Sequence, residues 1–274
     1  MTYTTLMAHL DACHTNAAVL NATERLAAHF DAKVVGISAC QPVQIVGSDG
    51  YIAGEAMVAC RDESEKEMRE AEATFRASFA SSGLPVEWRA SVTDLALSDF
   101  IARQARSSDL IVTCVRPAGK FEHAKHVNVG DLVMRAGRPV LIIPDQRTDA
   151  RFDRIVIAWK DTREARRAAA DALPLLKRAD YVCVVEIAAA AELESATSRV
   201  HDVGAWLLTH GVKAIAVVQP SKGGASDQLE AILAEQKADL VVAGAYGHSR
   251  LREWAFGGVT DYLLCGSRLA FLSH

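Results

Sequence analysis

The sequence has no excess of positive charge and no long apolar run. Its 30 Lys and Arg residues stand against 34 Asp and Glu residues, so no basic surface is expected to hold a phosphate backbone. A membrane-spanning helix would need about 18 consecutive apolar residues, and no such stretch is present. The first residues also lack the basic-then-apolar order of a secretory signal. We therefore predict a soluble, cytoplasmic protein that binds neither nucleic acid nor membranes.

Familiar catalytic and metal-binding motifs are also missing. The six cysteines are scattered, with no C-x-x-C pair and no zinc-ligand spacing, and we interpret them as reduced thiols. The patterns G-x-S-x-G, H-E-x-x-H and G-x-x-x-x-G-K-[ST] do not occur. His123 and His126 could share a helical face as metal ligands do, but no carboxylate or cysteine accompanies them at a recognised spacing. The sequence predicts no catalytic residue and no metal site.

Short apolar runs rich in β-formers alternate with segments of helical periodicity, which is typical of a parallel sheet covered by helices. In the first half, the predicted strands are 4–10, 33–38, 86–91, 109–115 and 139–143. In the second half, they are 154–159, 181–187, 212–218, 239–243 and 268–272. Apolar stripes at helical spacing within 68–79 and 193–207 predict two of the intervening helices.

The two halves of the chain form an internal repeat. SDLIVTCV at 108–115 matches ADLVVAGA at 238–245, and GDLVMRAGRPVLII at 130–143 matches TDYLLCGSRLAFLS at 260–273. A repeat of this kind predicts two similar domains rather than one large domain.

The first half is longer than the second, and the sequence indicates where the extra residues lie. The glycine-rich stretch 41–60 breaks the periodicity and is interpreted as a loop. The polar segment 145–151 is interpreted as a linker. We therefore predict one domain over residues 1–145 and a second over residues 152–274.

Two glycine turns stand out between residues 239 and 264. A strand of the buried type runs into Gly244 and Gly247, and after nine further residues Gly257 and Gly258 open an apparent helix. Glycine lets backbone amides approach an anion closely, and a helix N-terminus presents free N–H groups. In an open parallel sheet, ligands bind at the carboxyl ends of the strands where the winding reverses. The two turns therefore predict a phosphate-binding site.

The spacing G-x2-G-x9-G in this segment resembles the nucleotide signature of the universal stress protein family. VTDYLL and RLAFLSH near the C-terminus resemble the family's closing helix and strand, and AWKDTREARRAAADALPLLKRA at 158–179 is similar to its first strand, turn and helix. The resemblance implies two α/β domains of the adenine nucleotide alpha hydrolase-like fold, each with a five-stranded parallel doubly wound sheet of order 3-2-1-4-5. It also implies that the two domains pair, with strands 139–143 and 268–272 as the natural edges, and a homodimer of whole chains is possible.

The resemblance further implies that the second domain binds an adenine nucleotide, ATP with Mg²⁺ included. The residues expected to form this site are Ala158, Trp159, Lys160, Asp161, Ala243, Gly244, Gly247, Gly257, Gly258, Val259 and Thr260.

Two of these residues depart from the family pattern. Gly258 stands where many ATP-binding members have a hydroxyl residue, and Lys160 stands where the family often has an aspartate. Asp161 with Glu164 also fits a helix N-cap and its reciprocal partner, D-x-x-E. Trp159 and Trp254 suit either stacking on adenine or burial in the core.

The first half lacks the glycine pattern. The positions of the four glycines are taken by Cys114, Pro117, Val127 and Asn128. Asp11 does stand at the end of the first strand, and Arg116, Lys120 and Lys125 could attract another anion or simply face solvent. We predict no standard nucleotide site in this half.

The favoured function is a stress-response protein in which nucleotide occupancy of the second domain alters interactions with partner proteins. One alternative is a nucleotide-free interaction or scaffold protein, in which Gly258 and Lys160 mark a lost site. A second alternative is a slow ATPase or nucleotide transferase, which would need a base and a metal-binding carboxylate. Asp161 and Asp261 are the nearby candidates for those roles.

Overall fold

The computed structural model describes residues 2–12, 14–42, 54–116, 125–147, 149–247, 258–265 and 268–274. They fall into two compact units. The N-terminal unit comprises Tyr3–Arg138, and the C-terminal unit comprises Pro139–His274 together with the first two residues.

The N-terminal unit contains four parallel strands in the order β3-β2-β1-β4. Its strands are β1 (Thr5–His9), β2 (Lys33–Cys40), β3 (Val86–Val92) and β4 (Leu110–Cys114). Its helices are α1 (Ala17–Phe30), α2 (Gly54–Phe79), α3 (Leu97–Gln104) and α4 (Val129–Ala136). The central strands β1 and β2 are almost wholly buried, which their continuous apolar sequences require.

The C-terminal unit contains six strands in the order β5-β10-β9-β6-β7-β8. Its strands are β5 (Val140–Ile143), β6 (Arg154–Ala158), β7 (Tyr181–Ala188), β8 (Ala214–Pro220), β9 (Leu240–Gly244) and β10 (Ala270–Ser273). Its helices are α5 (Arg163–Asp171), α6 (Leu173–Leu176), α7 (Leu193–Thr209), α8 (Ala225–Glu235) and α9 (Val259–Leu264). Strands β6 to β10 are parallel, whereas β5 is antiparallel to β10.

All ten predicted strands are present, each within two residues of its predicted bounds. The predicted order 3-2-1-4-5 is confirmed in the second half as β8-β7-β6-β9-β10, and the first half shows 3-2-1-4 within its own unit. The final strands of the two halves pair, as predicted, with Ile142 beside Ala270 and Val140 beside Leu272. Because of this pairing β5 belongs to the C-terminal unit, and the units divide after Arg138 instead of in the predicted linker 145–151.

The predicted helical stripes are buried. In α2 the buried side chains include Met68, Ala71, Phe75 and Phe79. In α7 they are Ala196, Val200, Val203 and Leu207. None of the described helices is both long and apolar enough to cross a membrane.

The predicted loop 41–60 is wrong over its last residues, because α2 already begins at Gly54. Gly54 is the last glycine of this stretch, and the residues after it include Glu, Ala and Met, which favour helix. The helix therefore extends N-terminal to its apolar stripe. Residues 43–53 lie outside the described part of the chain.

Candidate functional site

A cavity of about 610 Å³ lies at the carboxyl ends of β6, β7 and β9 in the C-terminal unit. Its volume is within the range of roughly 300–1,000 Å³ that is usual for small-molecule sites. The winding of the sheet reverses between β6 and β9, where Ala158 pairs in register with Ala243. The cavity is therefore at the topological switch point, where ligands bind in open α/β sheets.

Most of the predicted site residues meet at this cavity. Its lining includes Ala158, Trp159, Lys160, Ala243, Gly244, Gly247, Gly258, Val259 and Thr260. Asp161 is not part of the lining; it is exposed, and its Oδ1 accepts a 2.6 Å hydrogen bond from Arg166. Gly257 and Trp254 lie outside the described residues. Binding of nucleotide by these residues stays a prediction.

Sequence reasoning missed several polar residues of the cavity wall. Thr162, Glu186, Glu192 and Ser221 all line the cavity. Glu186 lies near the end of β7, Glu192 follows β7, and Ser221 follows β8. The carboxyl ends of these strands lie at the same edge of the parallel sheet as those of β6 and β9. The predicted strand bounds already contained this information, because every parallel strand directs its C-terminus to the same edge.

The glycines of the first turn are required by close packing against the start of α5. A Cβ atom on Gly244 would lie 2.4 Å from the backbone nitrogen of Ala165 and 2.5 Å from the carbonyl carbon of Glu164. A Cβ atom on Gly247 would lie 3.0 Å from both Thr162 Oγ1 and Glu164 Oε2. The end of β9 therefore packs against α5 closely enough to require glycine at position 244, whereas a side chain at position 247 would crowd the Thr162 and Glu164 side chains.

The predicted D-x-x-E capping pair is wrong, because Thr162 is the N-cap of α5. Thr162 has extended dihedral angles (φ −126°, ψ 161°), and its hydroxyl accepts a hydrogen bond of 3.3 Å from Ala165 N. The helix thus begins one residue later than an Asp161 cap would require. Asp161, still outside the helix, pairs with Arg166 instead.

Glu164 is a buried carboxylate in the first turn of α5. Burial by itself raises the pKa of this carboxyl. Hydrogen bonds from its own backbone N–H, from Arg163 and from the Thr162 hydroxyl act in the opposite direction, and the net result is a lowered pKa. The Glu164 carboxylate therefore carries a negative charge in the first turn of α5, next to Gly247.

A second buried carboxylate, Glu186 of β7, forms part of the cavity wall. Arg199 of α7 donates to it from Nε, at 3.1 Å to Oε1 and 3.2 Å to Oε2. The hydrogen bonds to Glu186 raise the pKa of the Arg199 guanidinium. Among the described residues, the cationic side chain that lines the cavity is that of Lys160, which is exposed.

Trp159 carries a buried polar atom at the same site. Its backbone N–H donates to Val185 O at 2.8 Å, which ties the end of β6 to β7. Its indole Nε1 is buried and has no hydrogen-bond partner among the residues that the structure describes. An indole N–H is a donor, so this atom suits an acceptor group of a ligand in the cavity.

Thr260 joins the two glycine turns. Its buried hydroxyl accepts a hydrogen bond from Tyr246 N at 3.4 Å. Tyr246 lies between Gly244 and Gly247 and has φ 58°, a conformation that non-glycine residues rarely adopt. The Thr260 contact helps to hold this turn in the shape that faces the cavity.

A much smaller cavity lies at the corresponding end of the N-terminal unit. The cavity found there has a volume of only about 10 Å³, roughly the space of one water molecule. Its lining includes Asp11, Arg116 and His126. A cavity of this size is too small for a nucleotide, and the absence of a nucleotide site in this half stays a prediction.

The charged residues of this region pair with one another. Asp11 Oδ2 lies 2.6 Å from His126 Nδ1 and 3.7 Å from Arg116 Nη1. Lys125 pairs with Glu67, at 2.9 Å and 2.7 Å from its two carboxylate oxygens. Lys120 and His123 lie outside the described residues. His126 precedes α4 in a turn, so the helical face proposed for it from the sequence is wrong.

Comparison with known proteins identifies the fold. No protein-family profile matches the chain, and no curated protein matches it. A universal stress protein from Archaeoglobus fulgidus aligns over 98% of this chain and 95% of that chain, with 14% identity and a TM-score of 0.74. A protein of unknown function from Pseudomonas aeruginosa aligns over 99% of this chain and 92% of that chain, with 15% identity and a TM-score of 0.60. Over nearly its whole length, the chain therefore has a fold that occurs in universal stress proteins, which confirms the predicted fold class.

Proposed function

We propose that this protein is a universal stress protein whose C-terminal unit binds an adenine nucleotide and thereby alters contacts with partner proteins in the cytoplasm. The observation that carries the proposal is the cavity of about 610 Å³ at the switch point of the sheet. Both glycine turns of the predicted signature contribute to it through Gly244, Gly247 and Gly258.

The cavity has two chemically different sides, which suits a nucleotide. Val185, Ala188 and Leu229 offer apolar surface for a base. The glycine turns offer backbone near a site where phosphates would bind, and Lys160 adds a positive charge. ATP with Mg²⁺ is the ligand we expect, since the spacing of the glycines resembles that of ATP-binding members of the family.

We propose binding without turnover. Asp161 pairs with Arg166, and Asp261 lies exposed in the first turn of α9. Neither carboxylate lines the cavity. A role for them as catalytic base or metal ligand therefore has no geometric support.

A nucleotide-free interaction protein is the second candidate, and one observation favours it. Gly244 and Gly247 are already explained by packing against α5, so their presence does not require a phosphate. Glu186 and Glu192 also place carboxylates on the cavity wall, and Glu164 lies behind Gly247. A triphosphate would experience repulsion from these groups unless Mg²⁺ or nearby cations offset it.

Blocking the cavity without disturbing the packed glycines tests the proposal. Ala189 is an exposed residue of the lining, and Ala191 is an exposed residue two positions later that does not line the cavity. Ala189→Trp should weaken binding of ATP with Mg²⁺ by at least about tenfold, which is about 1.4 kcal/mol. Ala191→Trp should bind as wild type. Isothermal titration calorimetry measures both, and circular dichroism checks that both variants are folded.

The outcomes separate the two candidate functions. Saturable binding that only Ala189→Trp weakens supports the nucleotide site. Equal binding by both variants would move the site elsewhere, and no binding by wild type would leave the nucleotide-free interaction protein.

A further inference from the structure

Three potential metal ligands meet in the N-terminal unit. Asp11, His14 and His126 each offer one ligand atom, and these atoms all lie within 4.8 Å of one another. Asp11 and His14 follow β1, whereas His126 lies in the turn before α4. The fold thus joins residues that are 112 to 115 positions apart in the chain, and no local motif could reveal them.

The backbone that carries two of these ligands is held in place by Asn16. Its Oδ1 accepts from Asp11 N at 3.0 Å, and its Nδ2 donates to Asp11 O at 2.9 Å and to His14 O at 3.0 Å. Three hydrogen bonds with one buried side chain hold the backbone of Asp11 and of His14. Such prior positioning reduces the entropy that ligands lose when they bind an ion.

The contact between Asp11 and His126 brings two possible ligand atoms side by side. Asp11 Oδ2 lies 2.6 Å from His126 Nδ1. When Nδ1 is unprotonated, its lone pair and the carboxylate oxygen can bind one ion together, and the ion takes the place of the shared proton. Asp11 and His126 are largely buried, while His14 is exposed and stacks on His126 with the ring centroids 5.2 Å apart. An ion could therefore reach the cluster from the side of His14.

We propose that Asp11, His14 and His126 form a binding site for a divalent transition-metal ion such as Zn²⁺. Imidazole nitrogens together with one carboxylate suit Zn²⁺ and its neighbours better than they suit Mg²⁺ or Ca²⁺. Three protein ligands leave a further position for water, as in sites that are open to exchange. Asp11 and His126 also line the small cavity of this unit.

Neighbouring charges set the expected strength of the site. Arg116 Nη1 lies 3.7 Å from Asp11 Oδ2 and therefore opposes a bound cation. Removing the charge of Arg116 should strengthen binding, whereas removing a ligand should weaken it. A merely structural cluster would show neither change in metal affinity.

The test is a titration of the full-length, tag-free chain with Zn²⁺ by calorimetry, accompanied by the visible absorption of the Co²⁺ form. Wild type should bind one ion per chain. His14→Ala and His126→Ala should each weaken binding by at least about tenfold, and Arg116→Gln should tighten it. His201→Ala, which removes an exposed histidine from α7 in the other unit, is the matched control and should bind as wild type.

Circular dichroism identifies any variant that fails to fold, and His126→Gln then replaces His126→Ala as a milder change. Absence of saturable Zn²⁺ binding by wild type would overturn the proposal. Equal affinity of wild type, His14→Ala and folded His126 variants would also overturn it, because the ion would then bind elsewhere. Loss of the Co²⁺ absorption in the ligand variants, with retention in His201→Ala, supports the assigned ligands.

Discussion

The two units share the strand order 3-2-1-4 but differ at the carboxyl ends of their strands. The C-terminal unit has a cavity of about 610 Å³ there, whereas the cavity described in the N-terminal unit has about 10 Å³ and is lined by Asp11, Arg116 and His126. Apolar strands and right-handed crossovers determine the order of a parallel sheet. The few residues that follow each strand determine whether a site is present. Repetition of a fold in one chain therefore does not imply repetition of its function.

The largest effect that we expect comes from Gly244, which has Cys114 as its counterpart in the N-terminal unit. Gly244→Val should lower the free energy of unfolding by at least about 3 kcal/mol, because its Cβ would meet backbone atoms of α5 that cannot move aside. Gly204→Ala, in the interior of α7 with nothing within 4 Å, is the control and should stabilise by up to about 1 kcal/mol. Urea unfolding measures both. A tolerated Gly244→Val would show that this glycine serves a ligand and not the packing of α5.

The next effect concerns His9, which has Ala158 as its counterpart in the C-terminal unit. Burial lowers the pKa of His9 from 6.5 to about 4, while Asp11 raises it in part. The unfolded chain then binds more protons than the folded chain between these values, so stability is full above about pH 6.5 and falls as the pH drops towards 4. The loss from this group is at most about 3 kcal/mol.

Replacing His9 by alanine, the residue at the corresponding position of the C-terminal unit, isolates the contribution of His9 to the pH dependence of stability. His9→Ala should lower stability at neutral pH, since it leaves a cavity and removes the 2.9 Å hydrogen bond between His9 Nδ1 and the Thr113 hydroxyl, but it should flatten the decline between pH 6.5 and pH 4.5. Carboxylates with lowered pKa values, such as Asp109, contribute equally to both proteins. An unchanged pH slope in His9→Ala would mean that His9 is not kept neutral by the fold.

The smallest effect concerns the helix caps that begin α4 and α5. Asn128 Oδ1 accepts from Asp131 N at 2.9 Å, whereas the Thr162 hydroxyl accepts from Ala165 N at 3.3 Å. Each change to Ala should cost about 1 kcal/mol, with Asn128→Ala costing more than Thr162→Ala because asparagine is the better cap. Thermal unfolding measures the difference, and Thr162→Ser should remain close to wild type. The reverse order would show that Thr162 also supports the neighbouring glycine turn.

The sequence predicted the sheets well because their signal is local. Most strands are short apolar runs, and the repeat at 108–115 and 238–245 aligned the two halves correctly. The start of α2 was missed, because glycines before residue 54 hid the helical residues that follow it. The shift of β5 into the C-terminal unit depends on its pairing with β10, which no local pattern could assign to a compact unit.

The sequence predicted only part of the candidate site, because only part of it is formed by local patterns. Lys160 and the glycines belong to local patterns, and the structure brings those that it describes to one cavity. Glu186 was missed, because it lies on a strand with no motif of its own. Thr162 was overlooked as the cap because Asp161 matches the same pattern one residue earlier. The cluster of Asp11 and His126 depends on a contact across 115 residues, which only the folded chain reveals.

The most direct test of the difference between the two units is photolabelling of the full chain with 8-azido-ATP, followed by mass spectrometry of the peptides. We predict saturable labelling between residues 152 and 274, at peptides that contain the cavity lining, and competition by unlabelled ATP. Ala189→Trp should lose this labelling, while Ala191→Trp should keep it. Labelling of the first half, or of neither half in a saturable manner, would contradict the assignment of the nucleotide site to the C-terminal unit.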